Sequence, residues 1–397
     1  MRTRNGGQYR ISYLIMVCVL FFPISSMLKI YFSPLNLIIT AGVFALFAMY
    51  YLRLGATKVE AILILYTLSI VLSNCIQYKM NFYNKNMLLY FPFLIVYFLF
   101  STRNFDLLID YVCKFRVYIN RIVYSWCFVV AISFFIPSCY VYEGETRAFV
   151  SFATTTFLLS PISVFIFVLL ALQYVLYRKK IDLFLLAIPS LAILMGSTRT
   201  YLVVLLCAWA VFLYAVMKNK RMYNIVIVVF ACIAIGIILM SPIMNKFEAT
   251  LGRVDADGLD FWNAFTSGRS VFWAYDINAI FHNSFDKIMF GNGINYLFYL
   301  NEPVFHIALW AHNDYIQILS DYGLVGLFIY LYLFWYLIKN VLHGVKKPVV
   351  LMGCLIMLWA FNAFFNMFYT YFCATLSFPF YVLLVKIGAS DITELHD

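Results

Sequence analysis

Apolar runs long enough to cross a lipid bilayer recur along almost the whole chain, and they restrict its fold more than any motif does. Inside hydrocarbon every backbone N–H and C=O must be satisfied within the protein, so such runs fold as membrane-spanning helices. About twelve can be drawn once tilt and snorkelling are allowed, near residues 11–28, 35–52, 59–73, 87–100, 121–137, 156–177, 181–196, 200–217, 223–241, 315–338, 349–366 and 370–387. The composition agrees. At 64% hydrophobic, 20% aromatic and only 12% charged, the chain is excluded from the water-soluble class. The first run follows Arg2, Arg4 and Arg10, has no small-residue cleavage site and leads straight to another run, so it reads as a retained first helix.

Charge placement tests this topology independently, because Lys and Arg accumulate in short cytoplasmic loops. With both termini cytoplasmic, 19 of the 28 basic residues fall inside, among them Arg178, Lys179, Lys180, Lys218, Lys220 and Arg221. The expectation is an all-α integral membrane protein, residues 1–397 forming one polytopic domain, with one large extracytoplasmic loop at 241–314 carrying short helices. Basic loops facing anionic headgroups account for the net charge of +10 without a nucleic-acid partner. The nine cysteines fall mostly inside spans and show no CxxC or Cys/His ligand spacing, so no metal site is expected.

The 74-residue loop concentrates the polar chemistry: it holds three of the five histidines and eight of the 18 acidic residues. Residues 243–265 lack periodicity. From Ser270, Phe272, Trp273, Ile277, Ile280 and Phe281 recur at helical spacing around Asp276 and Asn278, which predicts an amphipathic helix on the membrane surface. Gly291-Asn292-Gly293 ends it. Asn313, Gln317 and Asp321 then recur every four residues on one face at the start of the tenth span. A carboxylate at that depth is costly unless it faces protein or water, so the stripe is expected to line a cavity with His312 at its mouth.

Two arginines occupy matching contexts, Gly196-Ser197-Thr198-Arg199-Thr200 and Thr266-Ser267-Gly268-Arg269-Ser270, each in the first turn of a predicted helix. A cation there opposes the helix dipole and needs compensation. Backbone amides, hydroxyls and a guanidinium meeting at a helix N-terminus suit phosphate, and two such sites suit a diphosphate. Singly, each residue has an ordinary reading: a snorkelling anchor for Arg199, a surface imidazole for His312, a satisfied interhelical pair for Asp321, and an interfacial aromatic belt for the run around residues 281–310.

Together these features resemble the bacterial O-antigen ligase and O-antigen polymerase superfamily of membrane glycosyltransferases. The matching residues are Ser197 to Arg199, then Ser267-Gly268-Arg269 with Trp273 shortly after, then Gly291-Asn292-Gly293. The last and most specific run is His312-Asn313-Asp314-Tyr315-Ile316-Gln317 through Asp321-Tyr322-Gly323-Leu324-Val325-Gly326. The resemblance is sharp over 196–200 and 266–326. It implies a GT-C-like fold in the bacterial inner membrane and transfer of a glycan from an undecaprenyl-diphosphate carrier to an acceptor hydroxyl on the periplasmic face. Arg199 and Arg269 would grip the diphosphate and His312 would activate the acceptor. Ser197, Ser267, Trp273, Asn313, Asp314, Gln317 and Asp321 would line the substrate site. No cofactor or metal is implied. The implied partners are the lipid-linked oligosaccharide, as donor and as acceptor, membrane lipid and a chain-length regulator protein.

Two rivals remain at this level. A flippase or transporter shares the span count, but the spans are nearly free of charge and no two-fold repeat is visible. A ligase, which passes the glycan to lipid A-core, shares every candidate residue with a polymerase. The polymerase is favoured because the loop carries eight acidic against four basic residues, whereas docking a phosphorylated core would profit from a basic rim.

Overall fold

The computed structural model describes residues 33–77, 91–143, 146–153, 155–217, 268–306, 308–341 and 349–389, with isolated positions at 14–17, 222–248, 262–263 and 266. The expected spans at 11–28 and 223–241, the irregular 243–265 stretch, Ser267 and both termini lie outside the described residues or touch them only at isolated positions.

Every other expected span falls on helix. In chain order these are α1 (Ser33–Leu54), α2 (Lys58–Gln77), α3 (Phe91–Phe100), α4 (Thr102–Lys114), α5 (Arg116–Ser133), α6 (Thr156–Tyr177), α7 (Lys180–Leu185), α8 (Ala187–Met195) and α9 (Arg199–Val216). After the outer segment come α10 (Arg269–Phe281), α11 (Phe285–Phe290), α12 (Tyr296–Phe305), α13 (Asp314–Val341), α14 (Val349–Phe365) and α15 (Phe372–Ala389). Among the described residues four helices are long and apolar enough to cross a membrane: Thr156–Tyr177, Arg199–Val216, Asp314–Lys339 and Phe372–Ala389. A fifth span is added if the pair Leu107–Lys114 and Arg116–Ser133, bent by 68°, counts as one crossing. The described residues therefore carry a helical membrane protein with fewer clear crossings than the twelve expected. The 181–196 run is one reason, because it breaks at Leu186 into α7 and α8.

Helix α6 is apolar on all sides and buried along nearly its whole length, as a helix at the centre of a bundle must be. It packs on α15, α9 and α8, while α9 packs on α14 and α15. The Tyr381 hydroxyl donates to the Val164 carbonyl (3.1 Å), and Phe165 meets Phe380 edge-on at 5.8 Å.

One feature departs from the all-α expectation. Tyr140–Glu143 and Thr146–Phe149 form an antiparallel hairpin, β1 and β2, with Tyr140 opposite Phe149. It sits against the turn that precedes Arg199. A Cβ on Gly196 would come 3.0 Å from the Ala192 carbonyl oxygen and 3.4 Å from that of Phe149, so the absent side chain admits the hairpin.

Candidate functional site

Arg199 is the first residue of α9, as its sequence context predicts. The turn before it is tightly specified. Ser197 takes a left-handed φ of 54° and is buried, and Thr198 shares a hydroxyl–hydroxyl hydrogen bond with Ser160 of α6 (2.6 Å). Ser197 therefore shapes the turn from below, with its side chain inside the protein.

Arg269 likewise opens α10, behind Gly268 at φ 85°. Thr266, the first residue of the predicted context, supplies the cap: its hydroxyl oxygen accepts the Ser270 N–H at 3.0 Å. The Arg269 guanidinium is largely buried and donates through Nη1 to the Phe365 carbonyl (2.6 Å) at the C-terminal end of α14. A cation placed against the dipole of its own helix is thus held by the negative end of another.

The predicted amphipathic helix exists, with its faces arranged differently from the expectation. Trp273, Asp276 and Ile280 of α10 point inward, while Val271, Ile277 and Phe281 are exposed. Burial pushes the Asp276 carboxyl up to about 7, and the facing Asn301 amide of α12 pulls the other way. Trp273 is no open stacking platform for a glycan. Its indole N–H donates to the Ala311 carbonyl (2.6 Å), and its ring packs edge-on against Phe364 at 5.3 Å.

His312 follows Ala311 in a left-handed conformation, φ 50°, and is half-buried. Asn313 caps α13, its Oδ1 accepting the N–H groups of Tyr315 (3.0 Å) and Ile316 (3.2 Å). Asp314 is fully buried, its Oδ2 accepting from the Tyr330 hydroxyl (2.7 Å) and the Tyr369 N–H (3.3 Å). Gln317 uses both ends of its amide: Oε1 accepts the Ala311 N–H (3.0 Å) and Nε2 donates to Asp321 Oδ2 (3.0 Å). The polar stripe is real, and Gln317 ties it to Ala311, the residue immediately before His312.

The stripe does not run on into a continuous span. Gly323 adopts φ 68° and ψ −170°, which breaks α13 into limbs 314–322 and 324–341. The break frees carbonyls at the end of the first limb, and the Gly291-Asn292-Gly293 segment fills them. Asn292 N–H donates to the Ser320 carbonyl (2.9 Å) and Gly293 N–H to that of Asp321 (3.0 Å). The fit leaves no room for side chains. A Cβ on Gly291 would lie 2.2 Å from the Asp321 oxygen, and one on Gly323 would lie 2.3 Å from the Met289 oxygen. Two motifs that are far apart in sequence are one interlock in space.

The three residues singled out from sequence come together. Arg199 and Arg269 are near enough that each cation disfavours the other, and Arg269 acts in the same way on His312. Burial lowers the Arg269 value, and burial first, then Arg269, pulls the His312 imidazole down to about 4. Tyr371, one residue ahead of α15, interacts with Arg269 from the remaining side. Arg199 and Arg269 open α9 and α10, and His312 and Tyr371 stand just ahead of α13 and α15, so four helix N-termini lie within electrostatic reach of the Arg269 guanidinium, where helix dipoles favour negative charge. Tyr371 and the Phe365 carbonyl were not foreseen. The one signal that pointed there is Asn362 and Asn366, two amides four residues apart in an apolar run, both buried and bonded to each other at 3.1 Å. Among the described residues no group of His, Cys, Asp and Glu is arranged to hold a metal.

The fold is that of a helical membrane protein in which two arginines and a histidine stand at helix ends. Residues 184–331 match the family model described as O-antigen ligase, a likeness that supports the resemblance to the O-antigen polymerase and ligase superfamily over that part of the chain. The matched segment contains Arg199, Arg269, His312 and the whole Gly291–Gly323 interlock, and it supports a transferase role of the ligase or polymerase type. No curated protein matches the chain significantly.

Proposed function

We propose that the chain is a surface-polysaccharide polymerase that moves a glycan from an undecaprenyl-diphosphate carrier to the acceptor sugar of another carrier-linked repeat unit, on the periplasmic face of the inner membrane. The observation that carries this reading is the convergence of Arg199, Arg269 and four helix N-termini beside His312. The acceptor hydroxyl oxygen attacks the anomeric carbon of the donor sugar, the bond from that carbon to the diphosphate oxygen breaks, and the carrier diphosphate leaves with the electron pair. Negative charge grows on the diphosphate as the bond breaks, where the guanidiniums and helix ends stabilise it. His312 accepts the hydroxyl proton. Its low value keeps it unprotonated. A bound diphosphate offsets the Arg269 charge, so the imidazole becomes a stronger base once the donor is in place.

The same site serves a ligase, and the description of the matching family keeps that second reading in view. Deletion of the gene separates them. Loss of a polymerase leaves lipid A-core capped with one repeat unit. Uncapped core with full-length polymer retained on the carrier would assign the ligase. A flippase is tested in parallel: purified chain in liposomes should extend carrier-linked glycan without any translocation.

A further inference from the structure

We infer that Trp273 and Gln317 are positioning residues for His312, and that Trp273 couples the placement of the base to the arginine that grips the donor. The inference rests on the reading of His312 as the proton acceptor. Both backbone polar groups of Ala311, the residue immediately before His312, are held by side chains. The carbonyl takes the Trp273 indole N–H at 2.6 Å, and the N–H gives to Gln317 Oε1 at 3.0 Å. Beyond His312, the Asn313 cap holds the chain from the other side. A non-glycine residue in the left-handed region is disfavoured, and it persists where the surroundings over-determine it. At His312 the four flanking bonds provide that constraint.

The two clamps are anchored differently. Gln317 belongs to the limb of α13 that follows directly after His312 and is fixed by Asp321, whose backbone carbonyl is held by Gly293. Trp273 belongs to α10, one helical turn after Arg269, so the two lie on the same face of one rigid element. Any shift of α10 that moves the Arg269 guanidinium also moves the donor that fixes Ala311. Diphosphate grip and base placement are thus set by one helix. Trp273 has no need to touch substrate to affect the reaction.

The test uses the full-length chain in liposomes with a carrier-linked glycan as donor and acceptor. Trp273→Phe keeps a ring against Phe364 and removes only the N–H donor. Gln317→Met keeps the length and removes both amide bonds. Each should lower kcat per folded molecule by roughly tenfold to a hundredfold, the scale at which misplacing a reacting group is felt, with donor KM within about twofold of wild type and a Tm lowered only by the buried groups left unpaired. A residue that serves packing alone would lower Tm and leave kcat per folded molecule intact. His312→Ala is measured alongside. Wild-type kcat in both positioning variants with a dead His312→Ala enzyme overturns the positioning role and leaves the base reading standing. An active His312→Ala enzyme removes the base reading and the inference with it. If Trp273→Phe unfolds, Gln317→Met decides by the same kcat-against-KM criterion.

Discussion

Helix α6 and the first limb of α13 are both deeply buried, but for different physical reasons. Along α6 nearly every side chain is apolar, and its neighbours in α9 and α15 are apolar too, so its position is specified by volume and close packing. Along 314–322, Asp314, Gln317 and Asp321 are buried as well, and each is placed by directional hydrogen bonds to a named partner. A volume-specified wall tolerates conservative exchange, because hydrophobic swaps of similar size cost little. A bond-specified limb does not, because removing one partner leaves a buried polar group unsatisfied. In this protein the first kind of burial makes the helical body and the second fixes the chain beside His312.

The comparison breaks first, and most visibly, at the arginines. Arg199→Lys and Arg269→Lys keep the charge and lose the planar fork, and Arg269→Lys also loses the bond geometry to the Phe365 carbonyl. Turnover should fall on the order of a hundredfold or more at normal membrane insertion, read in the liposome assay. Wild-type turnover in both would reduce the arginines to membrane anchors.

The next effect concerns stability. Gly291→Ala and Gly323→Ala each force a Cβ onto backbone at a positive φ, so each should destabilise the protein by on the order of 3 kcal/mol. Gly42→Ala and Gly353→Ala meet nothing within 4 Å in helices α1 and α14 and should be neutral or slightly stabilising. In the wall, Leu169→Ala should cost about 2–5 kcal/mol while Leu169→Met costs under about 1.5 kcal/mol. Thermal melts in detergent compare all six. Equal losses at the interlock and control glycines would show that the two regions do not differ.

The smallest effects are those of pH. The Asp276 carboxyl titrates near 7 in the fold, above its ordinary range. Its neutral buried form therefore contributes stability that is full at low pH and is lost as pH rises through about 7. Wild-type Tm should fall from about pH 4 to about pH 7 and level off above, and Asp276→Asn should flatten that slope; an unchanged slope would remove Asp276 as its source. For turnover, the acid limb of kcat should lie at higher pH than that of kcat/KM, since the donor diphosphate relieves the Arg269 effect on His312. Coincident limbs would break that coupling.

The membrane body was legible because its signal is periodic and redundant: a run such as 156–177 announces α6 whatever surrounds it. The positions of Arg199 and Arg269 at helix starts were legible too, through the Ser/Thr and Gly punctuation before them. What could not be read was pairing. Nothing local says that Gly291 will sit against Asp321, that Trp273 will turn inward to Ala311, or that α13 will break at Gly323, because each depends on a partner distant in sequence. The small hairpin at 140–149 escaped for the same reason, four-residue strands being too short to carry a pattern.

The central claim is that one site holds the donor diphosphate and activates the acceptor, with His312 as the proton acceptor. It is tested most directly by single-turnover transfer in liposomes with His312→Ala beside His282→Ala and His306→Ala, both of which replace exposed side chains of the outer segment. The account predicts that His312→Ala binds carrier-linked donor with wild-type affinity and transfers at least about a hundredfold more slowly, while the other two stay within about twofold. Wild-type transfer by His312→Ala would contradict it.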